Sequence, residues 1–268
     1  MEAPAHDAGI RRDIVGVTSR RPLAGLSELR TRAHARVVAG RYDFVESVYG
    51  PELCADWDDK TFQLCTQGYG PFVADAINAY REPFVFLDIG ANVGVFSLVA
   101  ARHELCRRVH AFEPVPATYF RLCINLVRNR AGKVRAHRAA ISSRAGLTAT
   151  MTFNPLHTGM SKLVDGSTHG VTVRTITAVE LNRLVKPTRL PIVAKIDVEG
   201  SEAQVVQELA RTDFFNSIDR VIIEVSRRNA DDEEIDRLLH LLADNAFVET
   251  SRSGEHEHYD ALFERPRS

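Results

Sequence analysis

The chain is poor in lysine, tryptophan, methionine and cysteine, and several of these shortages narrow what it can be. Its four cysteines, Cys54, Cys65, Cys106 and Cys123, form no CxxC pair and have no histidine at zinc-finger spacing. That excludes a disulfide scaffold and a thiolate metal module. Cys106 and Cys123 stand in apolar stretches read as helical, where cysteine is a small core hydrophobe, and unpaired thiols imply a reducing compartment. No apolar run reaches the length of a membrane span, and the front of the chain lacks the apolar core of a secretory signal. An excess of one charge is missing too: 34 basic against 35 acidic residues leave a net charge of −1. No global field is therefore available to hold nucleic acid or an anionic membrane. Of the basic residues only five are lysine and 29 are arginine, a skew that reflects a GC-rich genome more than a function. What remains is a soluble, cytoplasmic, globular chain of 268 residues, long enough for one large domain or two small ones.

What is present is organised. A basic leader over residues 1–41 gives way to an acidic stretch over 42–83, with Asp56, Asp58 and Asp59 around Trp57. Residues 1–83 are read as a leader and helical cap, and 84–268 as the main domain. From Phe84 the pattern alternates. Phe84–Ile89 is a continuous apolar run that suits a strand buried on both faces, Ile192–Ile196 and Val221–Val225 read as two more buried strands, and Val109–Phe112 and Val134–Ile141 as strands between them. Helices over 94–103, 116–129 and 201–211 fall between them, the last opened by a Ser201-x-x-Gln204 capping box. A further helix carries Ile235, Leu238, Leu239 and Leu242 on one face, and strands over 247–250 and 258–264 close the chain. Strands alternating with helices predict an α/β, Rossmann-like, doubly wound sheet of seven mostly parallel strands. The 142–191 connection is too long for a crossover. Thr148–Phe153 and Val171–Ile176 alternate with period two, predicting an inserted β-hairpin before a helix capped by Thr177-x-x-Glu180.

The chemistry concentrates at Phe86-Leu-Asp-Ile-Gly-Ala-Asn-Val-Gly94. A strand running into two glycines and a helix start lets backbone approach a ligand closely. The middle glycine of a dinucleotide fingerprint is absent, and Asp88 at the strand end would repel a pyrophosphate. A carboxylate there suits an ammonium or sulfonium, which points to S-adenosylmethionine, and Glu113 at the next strand end can accept ribose hydroxyls. An NAD-linked oxidoreductase and a non-catalytic nucleotide-binding module are the competing readings. Asp88 could also simply cap the following helix.

Three blocks, Asp88-Ile-Gly-Ala-Asn-Val-Gly94, Phe112-Glu-Pro114 and Lys195-Ile-Asp-Val-Glu-Gly-Ser-Glu202, resemble the signatures of FkbM-type methyltransferases. Asp59-Lys-Thr-Phe62 and Gly68-Tyr-Gly70 resemble that family's segment ahead of the domain, so the resemblance spans roughly residues 58–264. It implies a class I, S-adenosylmethionine-dependent enzyme that methylates oxygen on sugars, polyketides and related metabolites. By position, Asp88, Gly90, Ala91, Asn92 and Gly94 would line the methionine part, Glu113 would take the ribose, and Pro114, Ala140 and Ile141 would flank adenine. Asp197 would sit beside the sulfonium and the acceptor.

An alcohol acceptor must lose a proton, and a general base adds about 10²–10⁴-fold to such a step. Asp197, Glu224, Glu199 and His157 are the candidates; His256 and His258 read as turn residues. Asp197 and Glu224 end adjacent strands and could hold a divalent cation. The Asp-Asn or Asp-Asp pair usual after the fifth strand is Glu224-Val-Ser226 here, so no metal is expected. The expected partner is a small-molecule acceptor, with neither nucleic acid nor membrane, and the front segment leaves a homo-oligomer open.

Overall fold

A computed structural model describes residues 27–143, 148–164, 170–186, 189–227, 229–255 and 257–266. Most of the leader and His256 lie outside them. The front of the described chain carries helix α1 (Glu28–Val38), a small hairpin of β1 (Phe44–Glu46) and β2 (Glu52–Cys54), and helices α2 (Lys60–Gln67) and α3 (Pro71–Asn78). Asp59 caps α2 by accepting the Thr61 N–H, and Pro71 sits in the first turn of α3, where its missing N–H costs nothing.

The main sheet is built from β3 (Phe84–Ile89), β4 (Cys106–Phe112), β5 (Val134–His137), β10 (Ile192–Ile196), β11 (Ile218–Ser226), β12 (Val248–Glu255) and β13 (His258–Glu264). Their spatial order is β12-β13-β11-β10-β3-β4-β5, with β13 antiparallel to both neighbours and the five strands from β11 to β5 parallel. This is the predicted seven-stranded, mostly parallel sheet. Helices α4 (Val95–Arg102), α5 (Pro116–Arg128), α7 (Glu202–Leu209) and α8 (Asp232–Asp244) supply crossovers. Every residue of β3 and β10 is buried, which is why both read as apolar runs, each broken by one charged residue, Asp88 and Lys195. Along β3, Val85, Leu87 and Ile89 enter one core, while Phe84 and Phe86 enter the other. Each such side chain contributes about 1.5–3 kcal/mol on burial. Leu53, Phe62, Ile77 and Tyr80 of the front segment pack into the same core as Phe84 and Phe86, so the cap covers one sheet face.

Four local expectations are corrected. The run 134–141 is not one strand: after β5 the chain leaves the sheet, and Ala140–Ile141 (β6) joins a second sheet. That sheet has four strands in the order β6-β9-β7-β8, with β7 (Thr148–Met151), β8 (Leu163–Val164) and β9 (Val171–Ile176). The expected hairpin is present as the antiparallel pair β7–β9, widened on both sides. Cys106 opens strand β4 and is not helical; all four thiols are buried and free, and burial pushes them up to between about 11 and about 12. Neither predicted capping box forms. Ser201 makes no side-chain cap, and Glu202 instead accepts the Val198 and Gly200 N–H groups. Thr177 likewise makes none at α6 (Ala178–Leu184), where Glu208 accepts the Ala178 N–H from 30 residues away. Among the described residues no helix is long and apolar enough to cross a membrane.

Candidate active site

At the carboxyl ends of β3, β4, β10 and β11 the sheet order reverses, the usual place for a ligand crevice in such sheets. A cavity of about 500 Å³ opens there, of the size that takes a cofactor. Its floor is the turn after β3. Gly90 has φ +79°, and a Cβ on it would lie 1.8 Å from the Asp197 carbonyl oxygen, so only glycine allows β3 and β10 to end this close together. Asn92 is also left-handed, and its Oδ1 accepts the Val93 N–H at 2.7 Å. Gly90, Ala91 and Asn92 line the cavity. Gly94 does not; its φ of +89° and its contact with Leu122 on α5 make it a packing glycine.

Asp88, expected beside the cofactor's methionine, lies a layer below. It is fully buried, outside the cavity wall, and accepts a 2.5 Å hydrogen bond from Ser97 Oγ in the first turn of α4. Its other oxygen accepts no hydrogen bond among the described residues and faces Lys195 Nζ at 3.7 Å. Lys195 is the hub of this layer, donating to the Gly90 carbonyl at 2.8 Å and pairing with Asp197 at 3.1 Å. Burial works against its ammonium, but Asp197 and Asp88 outweigh burial and hold its pKa above the usual lysine value. Burial raises Asp88, with Lys195 pulling the other way. Sequence reading missed Lys195 as a site residue, although a lone lysine inside the apolar strand Ile192–Ile196 was a visible signal that a buried charge needs a partner.

Glu113 does reach the cavity. Its two oxygens accept the Asn92 and Val115 N–H groups at 3.0 and 2.9 Å, which fixes the carboxylate at the end of β4. Pro114, Ala140 and Ile141 stand in the wall with Phe112 and Met151, an apolar surface fit for a flat base. Burial pushes the Glu113 carboxyl up to about 7, from an ordinary 4.5. A raised carboxyl favours the folded state below its unfolded pKa, and that advantage is lost as pH climbs through the folded one. Wild type should therefore lose stability relative to Glu113→Gln between pH 4.5 and about 7. Denaturant melts of the two proteins running parallel across that window would remove Glu113 from the balance.

At the far end, carboxylate oxygens of Asp197, Glu199 and Glu224 lie within 4.8 Å of one another. Glu199, left-handed at φ +58°, accepts from the Asn229 side chain. Burial first, then Asp197, pushes Glu199 up to about 8, and the same causes with Glu199 added push Glu224 up to about 10. Neighbouring Asp260 is raised to about 6, again chiefly by burial. The Tyr69 hydroxyl, in the cavity wall, is held above its ordinary range by Asp197 and burial. His258, read from sequence as a turn residue, opens β13, with Nε2 3.6 Å from Glu224. His157 lines the same cavity, so all four candidate proton acceptors surround one space.

The inserted sheet supplies the roof: Met151 and residues 157–162 line the cavity. Asp59, wholly buried, fastens that roof. It accepts the Thr61 and Thr158 N–H groups, the Thr158 hydroxyl at 2.9 Å and Arg121 Nη1 at 2.9 Å. The Thr158 hydroxyl also lies 3.2 Å from Asn92 Oδ1, tying cap, insertion and glycine turn together. No local pattern announces this clasp, because Arg121 and Thr158 stand 62 and 99 positions from Asp59.

Residues 88–249 match the family model described as the methyltransferase FkbM domain. Methyltransferase sdnD of Sordaria araneosa is 41% identical over 91 residues, 34% of each chain. The 31-O-demethyl-FK506 methyltransferase FkbM of Streptomyces tacrolimicus is 45% identical over 82 residues, 30% of each chain. The chain thus spans about a third of the length of these two relatives. Methyltransferase 1 of Beauveria bassiana is 27% identical over 172 residues, covering 57% of this chain and 68% of that one. Among solved structures, M. jannaschii TYW2 in complex with AdoMet is 15% identical with a TM-score of 0.45, covering 84% of this chain and 87% of that one.

Proposed function

The chain belongs to the FkbM methyltransferase family, and from that premise we propose that it transfers the methyl group of S-adenosylmethionine to a hydroxyl of a small metabolite, a sugar or polyketide-type natural product. The name of the Streptomyces relative, a 31-O-demethyl-FK506 methyltransferase, speaks of methylation on oxygen, which supports a hydroxyl as acceptor. The observation that carries the reading is the single cavity into which Glu113, the glycine turn and three strand-end acids all open.

The residues present fit the cofactor. Glu113 keeps lone pairs towards the cavity after its two backbone contacts, and a ribose diol would donate to them. Pro114, Ala140 and Ile141 would flank the adenine, and Gly90, Ala91 and Asn92 the methionine part. When bound, S-adenosylmethionine supplies a methyl group on a sulfonium, a leaving group that needs no protonation. The protein's own task is to hold an acceptor oxygen in line, an effect worth roughly 7–11 kcal/mol in favourable cases. Asp197, kept in place by Lys195, is assigned to orient the acceptor hydroxyl and receive its proton. Glu224, its carboxyl pushed up by burial and by the neighbouring Asp197, is assigned to hold the acceptor. Glu199 and His157 border the same space.

Calorimetric titration with S-adenosylmethionine and with NAD, followed by a labelled-methyl screen of hydroxylated metabolites, tests this. We expect S-adenosylmethionine to bind and NAD not to. With an acceptor in hand, Asp197→Asn should lower kcat about 10²–10⁴-fold. Tight NAD binding without an S-adenosylmethionine signal would overturn the reading.

A further inference from the structure

A cavity of about 500 Å³ holds one molecule the size of a cofactor. With that molecule in place, an acceptor can reach in with a hydroxyl but must leave most of its body at the rim. What the rim offers is apolar. Among the described residues only eight large apolar side chains are strongly exposed. Three of them, Trp57, Leu156 and Met160, at 54%, 60% and 55% exposure, stand on one short seam where the roof meets the cap. Single exposed hydrophobes are ordinary on any protein, but a group of them beside a cavity marks a ligand surface.

The seam is fixed before any ligand arrives. The Lys60 N–H donates to the Leu156 carbonyl at 2.8 Å, and the Gly159 N–H to the Thr61 hydroxyl at 2.7 Å. Trp57 leans edge-on against buried Phe62, ring centroids 5.3 Å apart. Met160 faces both ways: exposed on the seam, it also lines the cavity. From there half-buried Leu64 and Tyr69, with Phe96 of α4, carry the apolar wall inward, on the way to the strand-end acids. The hydroxyls of Thr61, Thr158 and Ser161 are already hydrogen-bonded within the seam. A free sugar, polar on every side, would press its hydroxyls against Trp57, Leu156 and Met160 and leave them poorly bonded. An apolar body would instead take those three side chains out of water.

We infer that Trp57, Leu156 and Met160 form a docking surface for the body of the acceptor, so that the hydroxyl presented to the cavity is carried by a large, mainly apolar molecule and not by a free sugar. Calling that molecule the acceptor rests on the methyltransferase reading. As an apolar binding surface the seam stands without it, so the two are tested apart.

Methyl, hexyl and octyl β-D-glucosides, kept below their micelle concentrations, are suitable probes, and Trp57, the chain's one tryptophan, is a built-in reporter. On full chain saturated with S-adenosylhomocysteine, octyl glucoside should shift the Trp57 emission to the blue. It should bind about 4- to 16-fold tighter than hexyl glucoside, the range for two methylenes half or fully buried at about fourfold each. Methyl glucoside should give no saturable change. Met160→Gln and Leu156→Gln, both on the surface and so tolerated by the fold, should each weaken octyl glucoside by about fivefold. Val179→Gln, at a position 61% exposed on α6, is the control and should bind as wild type does. The surface is overturned if octyl glucoside binds no tighter than methyl glucoside, or if Met160→Gln and Leu156→Gln both match wild type. It is also overturned if Val179→Gln loses as much as they do, which would mean detergent adsorbing everywhere. Failure of S-adenosylhomocysteine to bind would count against the methyltransferase reading alone, because the same tail-length series on the free chain still judges the surface.

Discussion

Lys195→Met should destabilise the protein by about 3–5 kcal/mol, the cost of removing one partner of a buried ion pair and leaving the other behind. The partner left behind is Asp88, wholly buried, with one oxygen on Ser97 and the other, without a hydrogen bond among the described residues, facing Lys195. The Gly90 carbonyl loses its donor at the same time, so the cofactor turn loosens along with the core beneath it. For a domain of this size the change corresponds to a fall in Tm of about 10 °C. The loss should grow above the ordinary carboxylate range, about pH 3.9, because Asp88 is then ionised in the unfolded chain but hindered from ionising in the folded one. Lys195→Met combined with Asp88→Asn should recover part of it, since the amide carries no charge to strand. Thermal and urea melts of the single and double variants decide the point. A single variant within 1 kcal/mol of wild type would remove Lys195 from its central place.

Gly90→Ala should be nearly as damaging and more specific to the cofactor. The left-handed conformation alone costs an L-residue about 1–2 kcal/mol. The larger effect is steric, since the new methyl would stand 1.8 Å from the Asp197 carbonyl oxygen and 2.9 Å from its carbon. Both atoms are backbone at the end of β10, so nothing can swing aside, and the ends of β3 and β10 must separate. A destabilisation of about 3 kcal/mol is expected. Affinity for S-adenosylmethionine should fall by about 100-fold, the usual penalty for misplacing site atoms by an ångström. Gly132→Ala is the matched control: its Cβ would meet nothing within 4 Å, so stability and binding should stay at wild-type values. Calorimetry on both variants separates a local steric requirement from a general cost of replacing glycine.

The parts of the fold that were legible in sequence share one property. Runs such as Phe84–Ile89 and Ile192–Ile196 are buried on both faces, so burial is written into their apolar residues and no partner of those need be known. Where the partner decides, reading failed. Residues 134–141 look like one strand, but Ala140 and Ile141 pair with Thr175 and Ile176, not with β4. The capping boxes failed for a related reason: Glu202 and Glu208 offered better-placed carboxylates than the serine and threonine next to each helix start.

The two strand-end acids make the division sharpest. Asp88 and Glu113 occupy equivalent places in the pattern, and sequence treated both as ligand contacts. Tertiary structure separates them, because Asp88 lies in the central strand between β4 and β10, where Ser97 and Lys195 close over it. Glu113 stands just past the end of β4, where backbone amides hold it at the edge of the cavity. The amino-acid sequence by itself determined the layers, the order of strands and helices, and which turn opens on the cavity, since those follow from periodicity and from glycine at a tight turn. Only the tertiary structure decided which acids meet in the cavity, which are spent on the core, and that Asp59 fastens the roof. Those outcomes depend on distances between residues far apart in the chain, and no local pattern encodes such distances.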